Sequence, residues 1–96
     1  MIDEFVIIRT YSAGVHMGWL KEIAAQGGTT HAMLHESRRL WRWQGAFTLN
    51  EVSVNGCAET SRISEPVDRI LLTQVIEVIP CTEKARDNLR RSRNCT

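Results

Sequence analysis

The stretch Glu36-Ser37-Arg38-Arg39-Leu40-Trp41-Arg42-Trp43 gathers three arginines and two of the chain's three tryptophans into eight residues. Read as an extended strand, it alternates its side chains between two faces. Arg39, Trp41 and Trp43 then share one face, and Arg38, Leu40 and Arg42 the other. The first face sets two indoles beside a guanidinium, which suits a planar anionic ligand: the fork grips phosphate while a flat ring takes a base or sugar. The plainer alternative makes Trp41 and Trp43 core, with the arginines snorkelling at its rim, because large aromatics are mostly buried.

Upstream, Glu4 to Thr10 is rich in Val and Ile and carries apolar residues on both faces, which predicts a strand inside the sheet. Tyr11-Ser12-Ala13-Gly14 breaks that pattern, and Gly14 permits a tight hairpin or a ligand-facing loop. Val15 to Ile23 resumes alternation, with Val15, Met17, Trp19 and Ile23 on one side, so an antiparallel hairpin is expected. Gln26-Gly27-Gly28 is a second turn signal. Thr29 to Leu34 forms a third strand that passes a break near Glu36-Ser37 into the Arg/Trp segment.

Downstream, Gln44-Gly45 ends that strand, and Thr48-Leu49-Asn50-Glu51 matches a capping box for a short helix up to Asn55-Gly56. A hairpin at Asn55-Gly56 is the competing reading, since Val52 and Val54 alternate; the cap favours the helix. Cys57 to Pro66 is polar and without period, and reads as a surface loop. Ile70 to Ile79 is nearly continuous apolar sequence closed by Pro80, and predicts one buried central strand. Thr82 can cap a final helix, with Glu83 in its first turn and Ala85 and Leu89 facing the core. The expected fold is α+β, a single domain over residues 1–96, mainly antiparallel sheet decorated by two short helices.

A net charge of +1 argues against a bulk electrostatic grip on nucleic acid, which is not an expected partner. The apolar run Phe5 to Ile8 is too short for a signal peptide or membrane span. Cys57, Cys81 and Cys95 are odd in number and lack CxxC spacing, so no disulfide framework or zinc site is indicated, and a cytoplasmic protein with reduced thiols is expected. A small core makes homo-oligomerisation a natural source of further burial.

His31 and His35 have the spacing of a helical zinc pair, but on a strand they stand roughly 13 Å apart. His16 reads as a surface imidazole. Ser12, Cys81 and the histidines supply nucleophile and base types without a motif, and no GxSxG, P-loop or GxGxxG is present. No metal, cofactor or catalytic residue is therefore expected. The C-terminal segment carries Lys84, Arg86, Arg90, Arg91 and Arg93, with Arg86, Arg90 and Arg93 along one helical stripe. Such a stripe is ordinarily a solvated face; the functional alternative is a phosphate or acidic-protein contact, the phosphate sitting between the helix N-terminus at Thr82 and a basic strand.

Four stretches together carry a resemblance: Val6-Ile7-Ile8-Arg9-Thr10-Tyr11-Ser12-Ala13-Gly14-Val15-His16, Ser37-Arg38-Arg39-Leu40-Trp41-Arg42-Trp43, Gly45-Ala46-Phe47-Thr48-Leu49, and Ile70-Leu71-Leu72-Thr73 through Ile79-Pro80-Cys81-Thr82. The combination resembles a family of small tailed-phage and prophage proteins of unknown function, and that family is similar to the Thoeris anti-defence sponge proteins. The resemblance implies a non-enzymatic protein that binds a cyclic ADP-ribose isomer made by TIR-domain immune enzymes and releases it intact. It further implies a sheet with two helices, dimers with pockets at the protomer junction, and in some members hexamers that also hold cyclic oligonucleotides. The site of action would be the host bacterial cytoplasm. The loop Cys57 to Pro66 departs from that pattern in length and character.

The residues and the resemblance together give a candidate ligand set of Arg9, Tyr11, Ser12, Ala13, Gly14, Arg38, Arg39, Trp41, Trp43, Thr82 and Arg86. Arginines would hold the pyrophosphate, Tyr11 or a tryptophan would stack the adenine, and backbone N–H groups of Ser12 to Gly14 would meet phosphate oxygens. Two other classes compete: an inhibitor that binds a host CRISPR or restriction protein through the same Arg/Trp face, and a single-stranded nucleic-acid platform. A pocket lined by Arg39, Trp41 and a backbone loop favours the sponge; a flat exposed patch favours the inhibitor.

Overall fold

The computed structural model describes residues 1–42, 48–57 and 62–91, with Gln26, Trp41, Arg42 and Arg62 described in backbone only. β1 (Phe5–Thr10) lies between β2 (Val15–Gln26) and a strand near the C-terminus, β6 (Val75–Pro80), and pairs antiparallel with both. That central position follows from its two apolar faces. Phe5 and Ile7 pack under the helices, while Val6 and Ile8 enter a second core.

β2 and β3 (Thr29–Arg42) form a long hairpin, closed by a two-residue turn at Gly27 and Gly28 whose φ values are 60° and 83°. Positive φ at both central residues is what a turn matched to the twist of the strands requires. The hairpin does not run straight. Its register slips between Met17 and Trp19, where β3 carries the extra residue Glu36 at φ 52°, and again between Leu20 and Glu22, where β2 carries the extra Lys21. Bulges bend strands and raise their twist. The break expected near Glu36-Ser37 is thus a bulge within one continuous strand. At this bend Gly18 packs against β3 so closely that a Cβ there would meet the His35 carbonyl at 2.9 Å. The second bulge also moves Ile23: it pairs with Ala32, on the face of Leu20 and Leu34, and not with Val15, Met17 and Trp19 as alternation alone predicts.

α1 (Leu49–Asn55) begins where the capping pattern places it. Thr48 is extended, and its Oγ1 accepts from the Glu51 N–H at 3.3 Å. The hairpin alternative at Asn55-Gly56 does not form; Gly56 ends the helix with a 2.8 Å bond from its N–H to the Val52 carbonyl. β4 (Arg62–Ile63) pairs with the end of β3, and Ile63 is fully buried, so part of the stretch expected as a polar surface loop is core. One large apolar residue there finds a place beneath the helices that a period-based reading cannot detect.

The run expected as one central strand is divided. β5 (Val67–Leu72) pairs with β3 at one margin of the sheet, and β6 pairs with β1 at the other. Thr73 and Gln74 join them, Gln74 at φ 54°. Three chain steps reach roughly 11 Å at most, so the opposite margins must curl round to meet. Leu72 and Val75 then face inward with Val6, Ile8, Leu20, Ala32 and Leu34, whereas Leu71 and Ile76 are exposed.

α2 (Glu83–Arg91) covers the other face. Ala85 and Leu89, one turn apart, are fully buried as the helical spacing predicts, and Leu89 joins the core with Leu49, Val52 and Met17. The fold is therefore a small α+β domain, an antiparallel sheet with two short helices. Among the described residues no helix is long and apolar enough to cross a membrane.

Candidate functional site

Along β3, Arg38 and Leu40 turn under the helices, and Arg39 turns to the opposite side. The alternation expected for the Arg/Trp strand holds for these three. The Trp41 side chain, all of Trp43 and the Gly45-Ala46-Phe47 stretch lie outside the described residues.

Arg39 stands at the rim of a cleft of about 230 Å³ lined by His16, Ser37, Arg39, Ser64, Val67 and Ile70. Among the described residues its guanidinium forms no ion pair. Its backbone N–H donates to the Ser64 hydroxyl at 2.7 Å, and its carbonyl accepts from the Ser64 N–H at 2.9 Å, which fixes the segment after β4 against β3. Ser37 is 1% exposed, and among the described residues its Oγ has no hydrogen-bond partner. A buried orphan hydroxyl is uncommon, and leaving one unpaired costs about 1–3 kcal/mol. A ligand oxygen would repay it.

His16 forms the wall facing Arg39, its cross-strand neighbour. It is 2% exposed, not the surface imidazole its lone position suggests. Its Nε2 lies 2.9 Å from the Ala13 carbonyl, so the ring donates there and its Nδ1 is bare. Burial pushes the imidazole pKa down, the Ala13 bond opposes this, and the positive charge of Arg39 adds to the lowering. The imidazole is accordingly neutral at pH 7. A hydroxyl and a neutral imidazole in one cleft are the residue types of a nucleophile and base, but no hydrogen bond joins Ser37 to His16. Sequence analysis missed both; the one available signal was that His16 alternates with Val15 and Met17 onto the face shared with Leu20.

The other candidate residues are dispersed. Arg38 is 5% exposed: its Nε donates to the Ser64 carbonyl at 2.8 Å, and its Nη1 to the carbonyls of Leu89 at 2.9 Å and Arg90 at 3.3 Å. A cation on the last carbonyls of a helix is a favourable cap, so Arg38 fastens α2 to β3 and is turned away from the cleft. Arg9 faces Glu77 across the β1–β6 ladder at 3.7 Å. Thr82 caps α2, accepting from the Ala85 N–H at 3.1 Å and donating to the Val54 carbonyl at 2.6 Å. Arg86 lies near Glu83 and Asp87, and with Arg90 it stacks over the Trp19 ring at 5.9 and 5.5 Å. Arg93 lies outside the described residues.

The Tyr11–Gly14 turn is divided in the same way. The Ala13 N–H donates to Thr10 Oγ1, and the Tyr11 N–H to the Gln74 carbonyl. Gly14 takes φ 86°, and its carbonyl accepts from Thr10. Ala13 touches the cleft only through His16. Tyr11, 77% exposed, borders a separate shallow cleft of about 280 Å³ with Thr29, Thr30, Gln74 and Ile76. Among the described residues no group of three His, Cys, Asp or Glu side chains is placed to hold a metal ion.

Comparison with curated proteins and with solved structures finds no match. A family model does match, over residues 3–89, which takes in every described element except the last two residues of α2. The chain belongs to the family DUF6948, a domain of unknown function.

Proposed function

We propose that this protein binds and sequesters a cyclic nucleotide signal, of the cyclic ADP-ribose class, without degrading it, as an anti-immune protein of the phage type it resembles. The observation that carries this reading is the pairing of an uncommitted guanidinium, Arg39, with an orphan buried hydroxyl, Ser37, in one cleft. Charge-assisted bonds from Arg39 would hold a phosphate oxygen, and Ser37 would supply a neutral donor beside it.

The cleft volume of about 230 Å³ is below the ~300–1,000 Å³ that encloses a drug-sized ligand. One phosphate with part of its sugar fills it, so the remainder of a cyclic dinucleotide-sized ligand needs cover from a second protomer. Dimers or hexamers are the proposed form, and the host cytoplasm the proposed compartment. The alternative is direct inhibition of a host defence protein, which draws on the exposed apolar residues Tyr11, Leu71 and Ile76. A thermal-shift screen against cyclic ADP-ribose isomers, cyclic di- and trinucleotides and linear controls separates the two. A ligand at 100 times its dissociation constant adds about 2.7 kcal/mol of stability, and heating should return it chemically unchanged. No shift with any nucleotide would replace this reading with the inhibitor one.

A further inference from the structure

From the charge of the cleft we infer that it selects an internal, singly charged phosphate (a diester or one half of a pyrophosphate bridge) over a terminal monoester. This inference rests on the binding reading above and narrows it. The described lining residues come from β2, β3, β5 and the segment after β4, and among them Arg39 is the one permanent charge. Among the described residues no carboxylate lines the cleft. His16 is the other titratable group there; burial and the neighbouring Arg39 hold it neutral. The Ser64 hydroxyl is already engaged, accepting from the Arg39 N–H and donating to the Glu65 carbonyl at 3.1 Å. Val67 and Ile70 make the remaining wall apolar.

One cation and one free neutral donor match the two non-bridging oxygens of a phosphodiester, which carry a single negative charge between them. A monoester carries about −1.5 to −2 at pH 7, with its second pKa near 6. Its second charge would be desolvated beside Val67 and Ile70 without a partner, which is unfavourable. A cleft built for a terminal phosphate would present at least a second cation.

The test uses small probes that fit the cleft whatever nucleotide the protein prefers. Amide NMR titrations with dimethyl phosphate and with methyl phosphate are run at pH 7.5 and pH 5.5. Dimethyl phosphate, a monoanion at both pH values, should move the Ser37, Arg39 and His16 amides. Methyl phosphate should bind at least about threefold more weakly at pH 7.5 and approach dimethyl phosphate at pH 5.5, where it is mostly monoanionic. Arg39→Gln should remove both responses with the rest of the spectrum unchanged. Tighter binding of methyl phosphate at pH 7.5 would overturn the inference and leave the binding reading standing. No response of the cleft amides to either probe would overturn both.

Discussion

Arg38 and Arg39 are neighbours in the chain, yet three carbonyls surround the first beneath α2, while the second stands at a cleft mouth with no ion pair among the described residues. The same contrast extends along the two faces of the sheet. On the helix side, Arg86 and Arg90 lie over Trp19, Arg90 reaches Glu36 at 3.5 Å, and Thr82 ties α2 to the end of α1. On the cleft side, a cation and a hydroxyl remain uncommitted. Identical side chains are therefore bound into the fold or left without a described ion pair according to which face of β3 they occupy, and that face is set one residue at a time.

The sharpest way to break this comparison is Arg38→Ala. It removes three hydrogen bonds and the cap of α2, and we expect a loss of about 3 kcal/mol, read as a fall in Tm of more than about 10 °C. Unchanged stability would place Arg38 among the recognition residues after all.

Next is acidification. The His16 pKa is lowered in the folded protein, so below its ordinary value of 6.5 the unfolded chain takes up a proton that the folded one refuses. Its contribution to stability is complete above that pH and is lost as the pH falls from there through the folded value. Urea unfolding between pH 7.5 and 5.5 should show this decline, and His16→Asn should flatten it. Equal slopes would mean that His16 titrates normally and is not a buried wall of the cleft.

A smaller effect is expected for Arg90→Ala, which loses one stacking contact and one exposed ion pair, together about 0.5–1 kcal/mol. A loss of several kcal/mol in chemical denaturation would show that the stripe on α2 matters far more than its exposure implies.

Much of the architecture was legible because local chemistry and tertiary context agree. The apolar faces of Phe5 to Ile8, the Gly27-Gly28 turn, the Thr48 cap and the Ala85/Leu89 spacing each point to the observed element. Legibility failed where a long-range contact overrode period. Glu36 and Lys21 are ordinary residues that become bulges only because the hairpin must fold over β1, and Ile23 changes face as a result. Ile70 to Ile79 looks continuous because two margins of a curled sheet are each served by half of it. Alternation separated Arg39 from Arg38 and Leu40 as strand spacing expects, but which of the two faces meets solvent was not legible in the sequence. Ser37 was invisible, and His16 carried one mark, its alternation onto the face of Leu20; nothing in the sequence says that the two line one cleft.

The most direct test of the account compares ligand-induced stabilisation of the wild-type protein with that of Arg39→Ala, using cyclic ADP-ribose isomers in a thermal-shift titration. Arg39 is exposed and lacks a described ion pair, so its loss should alter intrinsic stability by no more than about 0.5 kcal/mol. The account predicts that the wild type shifts upward by several degrees with ligand, while Arg39→Ala melts at the wild-type temperature and does not respond. An Arg39→Ala protein that responds to ligand as the wild type does would contradict the placement of the site in this cleft.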